Sequence, residues 1–449
     1  MTTEVAILNR EAIALAADSA VTVGMRDGTK IYNSANKLFA LSKSCPVGIM
    51  IYGNAQLTGV PWETLIKVYR KALGNSSFPK LTDYCENFIS FLTKNINFFL
   101  ESDQISSVKS IVWEIFEDVR EEISDSVAKA IEEREKLSKS ENKKITKDII
   151  KKFCKNIENI ETIEDFSEEF VDTISQKYKK VFEDLVRIVF DELSLTKQDV
   201  QNLLQIAVKS ITKNTFSSSA SGIVIAGFGE EEVFPSLHTY NIECAIEGKL
   251  KYSKNKEKSH EIGSYPVIIP FAQEDMISTF VEGIDPRLQK LSLNVLNHVL
   301  ANYFETIIEK ARDIFSTEPP DTVEEKVNQM KEDFNDIKTS LLDQYNENML
   351  KCRHEIHIDP ILTTVSILPK DELGAMAEAL VNLTSLKRRV TTDAETVGGP
   401  TDVALISKGD GFVWIKRKHY FESRLNPDFF ANKFGVELTE YKRGDNDQQ

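Results

Sequence analysis

Nothing in these 449 residues is long and apolar enough to cross a bilayer. No stretch approaches the roughly 20 apolar residues of a spanning helix, and the N-terminus lacks the cationic region, apolar core and small-residue cleavage site of a secretory signal. The chain is therefore read as cytosolic, with no membrane partner. Cationic excess is missing too: 55 Lys and Arg stand against 70 Asp and Glu, a formal charge of -15. That balance argues against a nucleic-acid partner, which needs local cationic excess. Cysteines are few, odd in number and widely spaced (Cys45, Cys85, Cys154, Cys244, Cys352), with no CxxC pair, so a disulfide framework is not expected. Six histidines are present, none in a triad-like arrangement. His354-Glu355-Ile356-His357 lacks the HExxH spacing, and on a strand its two histidines would point to opposite faces; no metal and no cofactor are expected. Gly227-Phe228-Gly229 is too sparse for a phosphate loop.

What is present is an alternation of strand-like and helix-like blocks. Residues 3–8 and 12–17 are short apolar runs separated by Asn9-Arg10-Glu11, which predicts a hairpin. The segment from Lys37 and the run from Val47 to Tyr52, closing on Gly53, predict two more strands, and the first sixty residues read as one compact sheet. From Pro61 the apolar spacing turns helical. The segment 98–215 is long, charged and helical, and its Lys/Glu-rich part, with few aromatics, reads as an exposed helical arm rather than a second core. Strand texture returns after Ser217-Ser218-Ser219, a second charged helical stretch follows Pro286, and the last block is a helix and a hairpin turning at Gly409-Asp410-Gly411. The blocks are drawn at 1–97, 98–215, 216–299, 300–358 and 359–449. Such an order fits an α+β core assembled from distant pieces with two long helical insertions.

The opening hairpin carries the candidate chemistry. If it turns about Arg10, paired residue numbers sum to 20, which sets Thr2 opposite Asp18 with Cβ atoms about 5 Å apart. Loss of Met1 would leave Thr2 with a free α-amine beside its hydroxyl. Such an amine has a reference pKa of about 7.7 to 8.0, so it can serve as the base for an otherwise weak nucleophile without any histidine.

Three motifs in order carry a resemblance: MTTEVAILNREAIALAADSAVTVG with NKLFAL and GIMIYGNAQ, then SGIVIAGFGEEEVFPSLHTYNIE, then TTDAETVGGPTDVALISKGDG. Together they are similar to proteasome β-type subunits and related bacterial peptidases, which are N-terminal nucleophile hydrolases. The resemblance implies a four-layer αββα sandwich and amide-bond hydrolysis of peptides or proteins through an acyl ester on Thr2. It implies Lys37 near Thr2, lowering the pKa of hydroxyl and amine, Asp18 holding Lys37, and the Gly53 N–H as the oxyanion donor. Asp393 and Thr396 would support the amine, and Ile51 and Ala55 would line an apolar specificity pocket. Departures from the pattern are Ser19-Ala20 where an arginine is usual, Gln273 in place of a serine, and Val397 inserted before Gly398-Gly399. A non-catalytic scaffold or binding subunit and a small-molecule amidase are the alternatives. Family members stack in rings, so a homo-oligomer with an unfoldase or adaptor partner is an option the sequence does not decide.

Overall fold

The computed structural model describes residues 2–25, 28–134, 138–261, 266–315, 319–391, 398–419 and 421–426. The chain begins with β1 (Thr3–Leu8), β2 (Ala12–Ala17), β3 (Val21–Met25), β4 (Gly28–Tyr32), β5 (Leu38–Ala40), β6 (Val47–Gly53), β7 (Gln56–Leu57) and β8 (Val60–Pro61). Helices α1 (Trp62–Leu73) and α2 (Leu81–Lys94) follow, then α3 (Glu101–Arg134), α4 (Lys139–Glu158), α5 (Glu168–Lys177), α6 (Lys179–Val189) and α7 (Lys197–Thr212). Strands β9 (Ser221–Gly227), β10 (Ser236–Ile246), β11 (Lys249–His260) and β12 (Val267–Ala272) precede α8 (Asp275–Glu282), α9 (Pro286–Ile314), α10 (Pro320–Arg353), α11 (Asp359–Ile367) and α12 (Lys370–Val390). The hairpin of β13 (Asp402–Ser407) and β14 (Gly411–Lys416) comes last.

Among the described residues two five-stranded antiparallel sheets dominate, ordered β12-β1-β2-β13-β14 and β11-β10-β9-β6-β5. The first sixty residues are thus divided between these two sheets and two small hairpins, β3–β4 and β7–β8, not gathered in one sheet as their texture suggested. The reason lies in their burial. β1 and β2 are buried along their whole length, as continuous apolar strands covered on both faces must be. Alternate residues Ala6, Leu8, Ile13, Leu15 and Ala17 meet Met50, Val224 and Ala226 of the second sheet. The intervening Val5, Ile7, Ala12, Ala14 and Ala16 meet Ile277, Val365, Leu373 and Ala377 of α8, α11 and α12. On the far face of the second sheet, Ile49, Ile51, Ile223 and Ile225 pack on Trp62, Ile66 and Phe88 of α1 and α2. The result is a mixed α/β molecule built on antiparallel sheets.

Helices α3 to α7 correct the expectation of an exposed arm. Val108, Val112, Phe116 and Val119 recur at three- and four-residue spacing within the charged sequence of α3, and with Ile150, Phe182 and Ile206 they form a large apolar core that reaches Cys244 and Ile246 of β10. The charged residues form the outer face only. The second helical block begins earlier than the boundary drawn at 300: α9 runs unbroken from Pro286 to Ile314, started by the Asp285 side chain accepting from Arg287 N and by proline at the first helical position. Residues His354–Ile358 form a π-helical turn joining α10 to α11, not a strand, because no turn-forming residue interrupts the helical run there.

Candidate active site

The N-terminal hairpin sets the site, in a register one residue away from the expected one. Glu4 pairs with Ala17 and Leu8 with Ile13, so paired numbers sum to 21. Asn9 is responsible. Its Oδ1 accepts from the N–H groups of Glu11 (2.9 Å) and Ala12 (3.0 Å), and Asn9 N donates to Ala12 O at 3.1 Å, which locks a two-residue turn at Arg10-Glu11. Asp18 therefore faces Thr3, not Thr2: Thr3 N donates to Asp18 Oδ1 and Asp18 N to Thr3 O, each at 3.1 Å.

Asp18 is fully buried and collects further donors from three parts of the chain. Ala20 N donates to Oδ2 at 3.3 Å, Gly398 N to Oδ2 at 3.0 Å, and the Lys37 ammonium contacts Oδ1. Ser19 strengthens the link to the distant segment, its N–H donating to Gly398 O at 3.1 Å and its hydroxyl to Pro400 O. Lys37, just before β5 and 6% exposed, reaches a second carboxylate: its Nζ lies 3.3 Å from Glu4 Oε1. Thr2 Oγ1 donates to the other oxygen of that carboxylate, Glu4 Oε2, at 3.1 Å. A continuous buried chain of polar groups thus runs from the Thr2 hydroxyl through Glu4 and Lys37 to Asp18.

Glu4 has no exposed surface. Burial pushes its carboxyl up to about 7, against the pull of Lys37 and with some help from Asp18. Tyr52, across from it on β6, is raised above the usual tyrosine range by burial, then by the charges of Glu274 and Glu4. Burial also pushes the Cys85 and Cys244 thiols up to about 12, so neither is an activated nucleophile.

Thr2 borders a cavity of about 310 Å³ whose wall includes Tyr52, Gly53, Ser217, Ala220, Asn241 and Ala272. Two glycines permit this wall. Gly53 has φ +78, and a Cβ there would lie 2.7 Å from Ala220 O; a Cβ on Gly222 would occupy the Tyr52 ring. The opposite wall, residues 216–220, is held from two sides. Ser218 gives its N–H and hydroxyl to the Glu114 carboxylate of α3, both at 2.6 Å, and Ser217 N donates to Glu243 Oε1 at 2.6 Å. Glu243 in turn forms a fully buried ion pair with Lys251, whose ammonium also donates to Ser210 O at 2.7 Å. At the third side Ala272 takes φ +61, rare for a residue with a side chain, and the next residue, Gln273, gives its backbone N–H to Thr2 O at 3.1 Å.

Of the residues expected at the site, the structure gathers Thr2, Asp18, Lys37 and Gly53 around this cavity and the polar chain behind it. Ile51 and Ala55 are not on the cavity wall: Ile51 points into the core beneath α1 and α2, and Ala55 is exposed. The strand pleat turns Ile51 away from the side that carries Thr2. Asp393 and Thr396 lie outside the described residues. Among the described residues no group of three or more His, Cys, Asp or Glu side chains is placed to hold a metal ion, and no helix is long and apolar enough to cross a membrane.

No family model matches the chain, and no curated protein matches it. Among solved structures it is similar to Anbu (ancestral beta-subunit) from Yersinia bercovieri at 10% identity, over 98% of this chain and 100% of that chain, with a TM-score of 0.24. So low a score carries no argument. No family is shown. The membership read from the terminal motifs is corrected accordingly: the resemblance to proteasome-type N-terminal nucleophile hydrolases has no family model or curated relative behind it.

Glu4 and Glu243, with the Lys251 and Glu114 that help to hold the wall, were not among the expected site residues. Glu4 stands two residues after Thr2 in a strand, which places both side chains on one face; a carboxylate inside an otherwise apolar run was the available signal. Glu243 carries the same signal, a carboxylate between Ile242 and Cys244, but its partner Lys251 lies across the β10–β11 hairpin.

Proposed function

We propose that this chain hydrolyses amide bonds of peptides or proteins, with Thr2 as the nucleophile and an ester on its Oγ1 as the intermediate. The observation that carries the reading is the Thr2 hydroxyl, at the edge of a cavity and hydrogen-bonded to a buried carboxylate that is itself paired with Lys37. A hydroxyl becomes a useful nucleophile only when a neighbouring group accepts its proton and a third group orients that acceptor. The Gly53 N–H, on the same cavity wall, is the donor assigned to the oxyanion, a role worth roughly 3 kcal/mol of barrier. Removal of Met1 would free the Thr2 amine. The scaffold assigned to this chemistry is an αββα sandwich of four layers, supported by an apolar cluster between the two sheets and one between each sheet and its helices.

A β-lactone, which is opened by an activated hydroxyl, tests the reading when it is combined with peptide mass mapping. Labelling confined to Thr2 and lost in Thr2→Ala is the expected result, together with cleavage of a mixed peptide library by the unlabelled protein. Absence of labelling at Thr2 across pH 6 to 9 would overturn the catalytic reading and leave a binding or scaffold role.

A further inference from the structure

We propose that Glu4 is the general base of this site, its carboxylate taking the proton from Thr2 Oγ1 as that oxygen attacks a carbonyl carbon. The inference rests on the Thr2 reading above and deepens it by assigning the proton's destination.

Thr2 and Glu4 continue the row of alternate residues that includes Ala6 and Leu8, so the pleat alone sets hydroxyl beside carboxylate. Their separation, 3.1 Å from Oγ1 to Oε2, lies within the reach required of a nucleophile and its base. On its other side Glu4 Oε1 is 3.3 Å from Lys37 Nζ, and Lys37 is itself fixed by Asp18. The base is therefore oriented from behind by a buried cation. Its surroundings are otherwise apolar: Glu4 stands opposite Ala17 on one neighbouring strand and Phe271 on the other, with the Tyr52 ring 5.3 Å from that of Phe271. The titratable groups that act on it are Lys37 and Asp18, and its own charge helps to raise Tyr52. Its carboxyl is held near 7 by burial, so near neutrality it is present both as the form that takes a proton and as the form that returns one.

The steps balance without any further reactant except water. As the bond from Oγ1 to the carbonyl carbon forms, the hydroxyl proton passes to Glu4 Oε2. The tetrahedral adduct collapses, the C–N bond breaks, and Glu4 gives its proton to the departing amine. Water then attacks the ester carbon and gives a proton to Glu4. Glu4 returns that proton to Oγ1 as the ester C–O bond breaks. The α-amine of Thr2 takes part in none of these transfers.

The test measures the rate of β-lactone labelling at Thr2 against pH in wild type, Glu4→Gln and Glu4→Asp, with thermal unfolding recorded for each. In wild type the rate should rise through about pH 7. In Glu4→Gln it should fall by about 100-fold or more and lose that rise, whereas Glu4→Asp, a carboxylate one methylene shorter, should recover part of the rate and keep a titration. Blocking the α-amine by mild acetylation should leave the wild-type profile in place. A wild-type rate and profile in folded Glu4→Gln, or loss of labelling on amine blocking alone, overturns the assignment of Glu4 and leaves Thr2 as nucleophile. A wild type that never labels overturns the Thr2 reading itself, and the two failures are thereby told apart.

Discussion

The backbone N–H of Gly398 donates to Asp18 Oδ2 at 3.0 Å, joining positions 380 residues apart. Asp18 is the common acceptor for that group, for Thr3 N, for Ala20 N and for the Lys37 ammonium, so its removal leaves a buried cation and three buried N–H groups without their acceptor. Asp18→Ala should lower the unfolding free energy by roughly 3–5 kcal/mol, measured by denaturant titration, and should abolish labelling of Thr2. A loss below about 1 kcal/mol would show that the donors find other partners.

Gly53 is constrained twice, by φ +78 and by the 2.7 Å approach of an added Cβ to Ala220 O. Because the obstacle is backbone, relaxation means moving the cavity wall. Gly53→Ala should cost roughly 1–3 kcal/mol and reduce Thr2 labelling more than the stability loss explains. Thermal unfolding run beside labelling at saturating probe separates the two effects.

The raised pKa of Glu4 gives stability a definite pH dependence. The folded protein holds this proton up to about pH 7, while the unfolded chain releases it near the ordinary value of 4.5. The stabilisation that the shift provides is therefore fully present below about pH 4.5 and is lost as pH rises through about 7, a change of roughly 3 kcal/mol. Glutamine does not titrate. The stability of Glu4→Gln relative to wild type should accordingly improve between pH 5 and pH 8, which parallel thermal melts will detect; a constant difference counts against the shift.

The pair Glu243–Lys251 is fully buried. Lys251→Met strands the Glu243 carboxylate and should cost roughly 3–5 kcal/mol. Glu243→Leu combined with Lys251→Met should recover much of that stability, since neither charge then remains buried. Ser217 loses its acceptor in the double variant, so the probe concentration for half-maximal labelling should rise even where the melting temperature has been restored.

The sequence disclosed the parts of this molecule that are set by neighbours along the chain. The opening hairpin, the lysine before β5 and the glycine ending β6 are all read from local pattern and turn chemistry. The register slipped by one because two turns fit Asn9-Arg10-Glu11 equally well in sequence, and only the Asn9 side chain, capping Glu11 and Ala12, decides between them. The core inside α3–α7 was hidden by composition: Lys and Glu outnumber the apolar residues whose spacing builds it. Glu243, Lys251 and Glu114 come to the cavity through tertiary packing alone, and no local pattern announces such meetings. Ile51 failed as a lining residue because position in a strand does not say which face the substrate uses.

The convergence on Asp18 has a bearing on synthesis. Its donors come from positions 3, 20, 37 and 398, so a ribosome must have released nearly all of the folded core's chain before the last of them arrives. The nascent protein spends most of its elongation with Thr2 already made and its supporting network incomplete. The network around Asp18 therefore closes only once translation has passed residue 398, just ahead of the β13–β14 hairpin.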